Sequence, residues 1–429
     1  MPLVNPSHSP RQVFITGMFD MRNFGDLMFP LIARHRLARM GIEVVPVSPT
    51  GVDTGLGDAM PSVPLREMLA GEAEVCGIIV GGGYIIHTHK MHFLAEYQSE
   101  ELAEFAGPGL WLGAALAAAV RDIPLVWNAP GVPHPFARSQ RPLIDAGLRA
   151  VDHLCVRDHG SAELLDAPAD IPVGILPDPV ASIADLWTSE MLAPVFRSLV
   201  ERKGGNPHAR YMALHFRNRS LVRMGAAAAA SLVDDFARAH DLCPILVAVG
   251  QTHADDVLAR EIASHLKTTH IVLDDPVSLI EIAASVALSR LYVGASLHGY
   301  VVAAAYGVPG VLVAQPSYRK FQGFLDHTGR LVDMVRSWQE AFDTARERVA
   351  EKTTTRIPQS VLDALDEHWK RIGNALSASD RKRAERHAFL RSWLGAGTDT
   401  GGLAWASMPI VRRRVARASA TGVEERERS

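Results

Sequence analysis

The stretch that decides the fold lies near the N-terminus and reads QVFITGMFDMRNFGDLMFPLIARHRLARM (residues 12–40). Its first six residues form a short, largely apolar run, which predicts a buried strand over residues 12–17. The leucines of its second half recur at roughly helical spacing with arginines between them, so a helix is predicted over residues 26–40. A strand, a polar turn and a helix form the repeating unit of proteins with parallel sheets.

The same unit recurs in two series along the chain. In the first series, strands are predicted at residues 44–47, 75–80, 124–128, 153–156 and 172–176, with a helix over 110–120. In the second, strands are predicted at residues 211–215, 244–249, 270–273, 291–294 and 308–314, and helices at 226–240, 253–266, 277–288 and 299–306. We therefore expect an α/β protein of two Rossmann-like lobes with a cleft between them. Ligands bind beyond the carboxyl ends of strands in such sheets, so the functional residues are expected there.

The segments between and after these series set the expected domain boundaries. The prediction is a first lobe over residues 1–188, a connection over 189–210, a second lobe over 211–350, a helical C-terminal extension over 351–395 and a disordered tail over 396–429. The extension contains Trp369 and Trp393 as packing anchors. In the tail, residues 405–417 combine apolar side chains with arginines. A solvated tail is the preferred interpretation, and weak binding of this segment to an anionic membrane surface is the alternative.

Composition limits the class of protein. The chain has 429 residues, 48% of them apolar, which suits two to three domains with sizeable cores. Its formal net charge of −3 argues against nucleic acid as a partner. Three cysteines without a C-x-x-C pair argue against a disulfide framework or a zinc knuckle. No uninterrupted apolar run approaches the ~18 residues of a membrane span, and no secretory signal is recognised. We expect a cytoplasmic protein, with contact to the inner face of the membrane as an alternative.

Two groups of candidate site residues follow strands of the first series. Asn23 and Asp26 lie in the turn after the first strand, where they either cap a helix or hold sugar hydroxyls. Gly81–Gly83 follow another strand and offer exposed amides, but they lack the spacing of a dinucleotide or ATP motif. The histidines that come next have no acidic or thiolate partners nearby. We interpret His87, His89 and His92 as rim residues and predict no metal site.

Two further groups carry charge at strand ends. Arg157 follows a predicted strand and precedes a helix that Ser161 can cap. Its planar guanidinium suits phosphate or carboxylate, and an ion pair with Asp158 or Asp178 is the alternative. His298 lies at the start of an apolar helix and is expected to face the cleft, where the helix dipole favours a neutral imidazole or an anionic ligand beside it. A structural histidine is the alternative.

Taken in order, these groups resemble the polysaccharide pyruvyltransferase family. The resemblance covers about residues 12–325 and rests on these motifs, in chain order: Asn23-Phe24-Gly25-Asp26, Gly81-Gly82-Gly83, Val156-Arg157-Asp158 with Ser161, Asp178-Pro179, Leu297-His298-Gly299 and Lys320.

The resemblance implies a GT-B-like fold and a phosphoenolpyruvate donor, with no other cofactor. The acceptor would be a sugar of a polysaccharide or glycolipid, in one version lipid-linked, and the product a cyclic pyruvate ketal. It also implies the site: His298 exchanges protons, donor-binding residues are Arg157, Arg217, Ser296, Leu297, Gly299 and Lys320, and acceptor-binding residues are Asn23, Asp26, Gly82 and Gly83. Arginine and lysine suit a donor that carries phosphate and carboxylate, and an imidazole suits proton transfer near neutral pH.

One departure from the family pattern concerns the donor site. Members of the family often carry arginine directly before the Leu-His pair, and this chain has Ser296. The missing positive charge would have to come from Arg217, Arg219 or Arg319. For Tyr84 and Trp127 the sequence allows two interpretations, stacking on a sugar or packing in the core.

Two rival functions remain at this stage. A glycosyltransferase using a nucleotide sugar would need an acidic residue at a strand end of the second lobe, and Asp274 and Asp275 follow such a strand. A non-catalytic binding protein descended from the family would explain the serine at position 296 as decay of the donor site.

Overall fold

The computed structural model describes residues 11–426 apart from a few internal positions. These are residues 72, 93, 222–223, 251–253, 351–355 and 379–380.

The first lobe is built on a five-stranded parallel sheet with the order β3-β2-β1-β4-β5. Its strands are β1 (Arg11–Thr16), β2 (Ile42–Ser48), β3 (Val63–Pro64), β4 (Ile78–Val80) and β5 (Leu125–Trp127). Ile15 pairs with Ile79 and Ile79 with Val126, all fully buried. The parallel sheet confirms the prediction, although β3 is too short to leave an apolar pattern in the sequence.

A separate pair of short parallel strands, β6 (Cys155–Val156) and β7 (Gly174–Ile175), lies beside the first sheet. A single bridge between Val126 and His153 connects this pair to β5. The two predicted strands are therefore present, but much shorter than expected.

Helices cover both faces of the first sheet. They are α1 (Phe24–Ala38), α2 (Leu65–Ala70), α3 (Glu100–Pro108), α4 (Ala114–Arg121), α5 (Arg141–Arg149), α6 (His159–Leu165) and α7 (Ile183–Leu186). A π-helical turn, Gly109–Gly113, makes α3 and α4 continuous. By length and composition the run Glu100–Arg121 could cross a membrane, but 67% of its apolar window is buried inside the protein. Its apolar character is that of a core helix.

Most of the connection predicted at residues 189–210 is helical. Helix α8 (Ser189–Arg202) is capped by Thr188, whose hydroxyl accepts a hydrogen bond from the amide of Met191 at 3.4 Å. Leu192, Leu199 and Val200 are fully buried at helical spacing. The Gly-Gly-Asn-Pro run that marked the connection lies beyond the end of this helix.

The second lobe contains a six-stranded parallel sheet with the order β10-β9-β8-β11-β12-β13. Its strands are β8 (Tyr211–His215), β9 (Cys243–Val247), β10 (Ile271–Leu273), β11 (Tyr292–Gly294), β12 (Gly310–Val313) and β13 (Met334–Val335). Its helices are α9 (Ala226–His240), α10 (Asp255–Ala263), α11 (Leu279–Ala287), α12 (Leu297–Ala305), α13 (Arg319–Thr328) and α14 (Trp338–Ala350). Five strands and four helices match the prediction, and β13, α13 and α14 were not predicted.

The last two helices return to the first lobe. Helix α15 (Gln359–Leu376) buries Trp369, and α16 (Arg383–Arg426) buries Phe389, with Trp393 packed against that phenylalanine. Within the predicted tail at 396–429, the described residues through Arg426 are helical, with a break at Gly402 (φ 54°, ψ −146°), and residues 427–429 lie outside the described part of the chain.

The two lobes meet where the carboxyl ends of their sheets face each other. Asn23, after β1, forms an antiparallel bridge with Gly250, after β9, and the amide of Phe24 donates to the carbonyl of Val249 at 3.0 Å. The carboxylate of Asp58 accepts hydrogen bonds from the amides that begin α11 (Leu279, 2.6 Å). The cleft therefore opens at the strand ends, as predicted.

Candidate functional site

A cavity of about 320 Å³ lies between the lobes at the carboxyl ends of both sheets. It is lined by nine of the eleven predicted site residues: Asn23, Asp26, Gly83, Arg157, Arg217, Ser296, Leu297, His298 and Lys320. Motifs that are far apart in the sequence thus lie together, because each follows a strand that ends at this edge.

The other two predicted residues, Gly82 and Gly299, lie behind the cavity wall. A Cβ at Gly82 would come within 2.1 Å of the Phe29 ring, and one at Gly299 within 2.3 Å of the Tyr292 hydroxyl oxygen. Both positions need glycine for close packing. Neither lines the cavity, so their predicted binding roles have no support from the geometry.

His298 is fixed at the start of α12 by two neighbours. Ser296 is the N-cap of this helix, and its hydroxyl accepts a hydrogen bond from the amide of Gly299 at 3.3 Å. The Nε2 atom of His298 lies 3.3 Å from Oδ2 of the buried Asp178. Burial would raise the pKa of Asp178, but the charge and hydrogen bond of His298 and the charge of Arg157 lower it. The carboxylate is therefore ionised at neutral pH and accepts the Nε2 proton.

Gly25, the third residue of the Asn23-Phe24-Gly25-Asp26 motif, lies directly against the imidazole of His298. A Cβ at this position would lie 1.8 Å from Nδ1 of His298. The first lobe therefore contacts the histidine of the second lobe through bare backbone. The sequence indicated a close approach at Gly25 but not its partner.

Asp26 faces the same cavity and is held by Asn23, whose amide nitrogen donates to Oδ2 at 2.7 Å. Loss of hydration raises the pKa of Asp26, although the charges of His298, Lys320 and Arg157 oppose this shift. Gly83 has φ of +91°, and a Cβ there would lie 2.8 Å from Oδ1 of Asp26. These contacts favour the site interpretation of the first motif, because Asn23 makes no side-chain cap to α1.

Arg157 is buried, with its guanidinium stacked 3.9 Å above the ring of Tyr84. Its Nε is 3.5 Å from the Asp158 carboxylate, beyond good hydrogen-bond distance, and Asp158 instead accepts from the amide of Ser161 at 2.6 Å. Asp158, rather than the predicted Ser161, thus caps α6. Among the described residues, Nε and Nη2 of Arg157 have no hydrogen-bond partner. A guanidinium with unused donors suits an anionic ligand.

Lys320 completes the positive part of the cavity. Its Nζ lies 5.7 Å, 5.5 Å and 5.8 Å from the ring centres of Tyr84, Tyr318 and Phe321. Loss of hydration and the nearby charges of Arg157 and Arg217 lower the pKa of Lys320 to about 7. An anion bound beside it would favour the charged form.

The geometry narrows the choice of arginine that could supply the positive charge missing at Ser296. Arg217 and Arg219 line the cavity, whereas Arg319 does not and donates to the carbonyl of Pro133 at 2.7 Å. Of the three arginines considered, the first two are placed to supply positive charge.

Tyr84, which the sequence left open between a sugar contact and the core, lines the cavity and stacks on Arg157. The pair His215 and Asp255 also lines the cavity and was missed by sequence reasoning. His215, at the end of β8, pairs with Asp255 (2.9 Å), and both are buried. Its position at a strand end was the available signal. His87 lines the wall, where burial and then the charges of His89 and His134 lower its pKa to about 4.

Two other expectations about aromatic and histidine residues were tested by the structure. Trp127 is buried in the core against Trp111, so it takes no part in the cavity. His92 is exposed, whereas His87 is buried rather than at a rim.

Comparison with known proteins settles the family. A family model described as polysaccharide pyruvyl transferase matches residues 23–317, more than half of the chain. The chain belongs to this family. The matched region begins at Asn23 and includes the motifs around Arg157 and His298. A search of curated proteins finds no match.

Solved structures show the fold of this pyruvyl transferase family member. The UDP-N-acetylglucosamine 2-epimerase from Rickettsia bellii is similar with a TM-score of 0.52 and 12% identity, over 87% of this chain and 98% of that one. The UDP-GlcNAc 2-epimerase from Methanocaldococcus jannaschii gives 0.51 and 12%, over 78% and 91%. The two lobes are GT-B-like, as predicted.

Proposed function

We propose that the protein transfers the pyruvyl group of phosphoenolpyruvate to a sugar of a polysaccharide or glycolipid, forming a cyclic ketal. Membership of the family establishes the general class of polysaccharide pyruvyl transferase. The observation that carries the finer proposal is the cavity itself, in which Arg157, Arg217 and Lys320 line the wall together with a histidine that pairs with a carboxylate.

The donor is assigned to the cationic side of the cavity. Phosphoenolpyruvate carries a phosphate and a carboxylate, and Arg157 offers two unused guanidinium nitrogens to such groups. Lys320 and Arg217 add charge on the same side. Binding the donor keeps Lys320 protonated, because its pKa of about 7 rises beside an anion.

Proton transfer is assigned to His298. Protonation of the vinyl CH2 group makes C2 of the donor electrophilic, and a sugar hydroxyl then forms a bond to C2. Phosphate leaves with the electrons of the C2–O bond, and a second hydroxyl closes the ketal ring. With Asp178 beside its Nε2 atom, the imidazole of His298 gives the first proton and recovers one from a hydroxyl. The cations stabilise the charge on the departing phosphate.

The acceptor is assigned to the first-lobe side of the cavity. Asn23 and Asp26 form a hydrogen-bonded pair that can receive sugar hydroxyls, and Gly83 leaves room beside the carboxylate. A carboxylate whose pKa is raised by loss of hydration is suited to take a hydroxyl proton.

The nucleotide-sugar alternative loses its structural basis. Asp274 is paired with Lys203 and Arg260 at 3.0 Å and 2.9 Å, and Asp275 also pairs with Lys203. Neither aspartate lines the cavity. The structural neighbours are named for UDP-GlcNAc, but at 12% identity their likeness concerns the fold alone.

A ligand-binding and turnover experiment tests the function. Phosphoenolpyruvate is expected to raise the melting temperature, while UDP-GlcNAc leaves it unchanged, and Arg157→Lys is expected to lose most of the shift. With a sugar acceptor added, phosphate release and a product with the mass of the pyruvyl ketal are expected. Stabilisation by the nucleotide sugar alone would favour the glycosyltransferase. Donor binding without phosphate release for any acceptor in a glycan panel would favour a non-catalytic protein.

A further inference from the structure

A compact group of potential metal ligands lies away from the interlobe cavity. It consists of His153 and Cys155 around the start of β6, and His368 on α15. Nε2 of His153 is 2.9 Å from Nδ1 of His368 and 3.3 Å from Sγ of Cys155, and the three atoms lie within 4.8 Å of one another. Cys155 and His368 are buried, and His153 is half-buried.

His368 is oriented as metal-bound histidines usually are. Its Nε2 lies 3.1 Å from the side-chain oxygen of Asn128, which is fully buried directly after β5. When this oxygen accepts the Nε2 proton, Nδ1 carries a lone pair on the side of His153. A ligating histidine typically gives its other ring proton to such an acceptor, which fixes the tautomer and the ring plane.

The separations are close to those of a tetrahedral zinc site. With Zn–N bonds of about 2.0 Å and a Zn–S bond of about 2.3 Å, tetrahedral ligands stand about 3.3 Å apart for two nitrogens and about 3.5 Å for nitrogen and sulfur. The two separations that involve His153, 2.9 Å and 3.3 Å, differ from these by a few tenths of an ångström, and Sγ of Cys155 lies within 4.8 Å of Nδ1 of His368.

The group also has an entry path. A cavity of about 680 Å³ is lined by His153 and Cys155, so solvent can reach the ligands and supply a fourth one. Positive side chains on this wall do not stand alone: Arg371 pairs with Glu367 at 3.0 Å, and Lys382 with Glu385 at 3.4 Å. Their charge is offset locally, which lowers the repulsion toward a cation.

We propose that His153, Cys155 and His368 bind one Zn²⁺ ion, with a water molecule as fourth ligand. Imidazole and thiolate are the ligands that zinc prefers. Binding replaces the thiol proton of Cys155, which passes to solvent, and joins α15 to the β5–β6 edge of the first lobe. None of the three residues lines the interlobe cavity, so the ion takes no part in the proposed transfer. The H-x-C spacing with a distant histidine differs from a zinc knuckle, and the sequence therefore predicted no metal.

Cobalt provides a spectroscopic test with the full chain. Wild-type protein given Co²⁺ is expected to bind one equivalent and to show a thiolate-to-cobalt charge-transfer band that Zn²⁺ abolishes. Cys155→Ser is expected to lose this band. Cys243→Ser is the matched control, because Cys243 is another free thiol far from any histidine of the group, and it keeps the band.

Metal affinity and stability give a second, independent readout. Zn²⁺ is expected to raise the melting temperature of the wild type and of Cys243→Ser, but not of Cys155→Ser. His153→Gln, at a half-buried position that tolerates the change, is expected to weaken Co²⁺ binding at least about tenfold. Failure of the wild type to show a thiolate band, or a band that persists in Cys155→Ser, would overturn the proposal.

Discussion

The pair formed by His298 and Asp178 is the part of the site on which the proposed chemistry depends. Replacing His298 by alanine removes the proton carrier while leaving the cations for donor binding, so kcat is expected to fall by about 10²- to 10⁴-fold. Phosphate release at saturating phosphoenolpyruvate measures this change. Asp178→Asn should cost less, since it keeps a hydrogen-bonding partner at Nε2. His270→Ala, remote from the cavity, serves as the control, and an unchanged rate in His298→Ala would show the assignment to be wrong.

Lys320 makes donor binding depend on pH. With a pKa lowered to about 7, Nζ is charged below that pH and neutral above it. The kcat/KM for phosphoenolpyruvate is therefore expected to fall as pH rises from about 7 toward about 9. Lys320→Arg keeps its charge throughout this range and should flatten the profile, while the titration of the donor itself stays the same in both proteins. Parallel profiles for the two proteins would contradict the role of Lys320.

Gly25 offers a substitution in which stability and activity should separate. Alanine in a helix is favoured over glycine by about 0.5–1 kcal/mol, so Gly25→Ala in α1 is not expected to unfold the protein. Its Cβ would nevertheless overlap the His298 ring and displace it. A normal circular dichroism spectrum with a strongly reduced kcat is expected. Gly395→Ala, in a helix with open space around the Cβ, should leave both unchanged. Full activity of Gly25→Ala would show that the His298 imidazole does not need its close contact with Gly25.

The residues of the site were predictable to the extent that they follow strands. Asp26, Arg157 and His298 stand out because each closes a strand and opens a helix, and such positions meet at one edge of a parallel sheet. The stacking of Tyr84 on Arg157 was not predictable, since it depends on Gly131, where a Cβ would lie 2.6 Å from both side chains. Contacts of this kind arise from tertiary packing and leave no periodic pattern.

At the level of elements, helix α11 and the loop after β2 hold the lobes together. Asp58 of that loop accepts hydrogen bonds from the amides of Leu279 (2.6 Å) and Ile280 (2.9 Å), which are otherwise unsatisfied at the helix N-terminus. Asp58→Ala is expected to destabilise the protein by about 1 kcal/mol, measured by thermal unfolding. Asp53→Ala is the control, because Asp53 is exposed and its carboxylate accepts a hydrogen bond from Gly55 of its own loop. Equal melting temperatures for the two variants would show that the hydrogen bonds of Asp58 to α11 do not stabilise the protein.

The elements themselves were predictable where an apolar strand alternates with an amphipathic helix. The exceptions have physical causes. Strands β3 and β13 have two residues each, too few for any pattern. Helix α8 was not predicted, because the glycine-rich run that follows it indicates a connection, although Leu192 and Leu199 have helical spacing. Lys320 was expected beyond a strand, but the helix α13 that carries it was not recognised.

For the whole molecule, the C-terminal helices decide whether the first lobe is complete. Phe389 of α16 is fully buried in the core around α4 and α5, and the guanidinium of Arg386 is bonded to Asp122 at 2.9 Å and Asp152 at 3.3 Å. A chain ended after Ser377 would expose that core and remove the arginine beside Asp152. Loss of the phenylalanine alone is worth about 3–5 kcal/mol.

Two truncations separate this structural role from that of the residues beyond it. A chain ended after Gly395 keeps Phe389 and Trp393, and it is expected to melt at the wild-type temperature with unchanged phosphate release. A chain ended after Ser377 is expected to melt at a markedly lower temperature, since α16 then no longer covers α4 and α5. Thermal unfolding followed by circular dichroism makes the comparison. If both truncations melted together, the packing of α16 would contribute little, and the stability of the first lobe would have to come from its sheet and α15 alone.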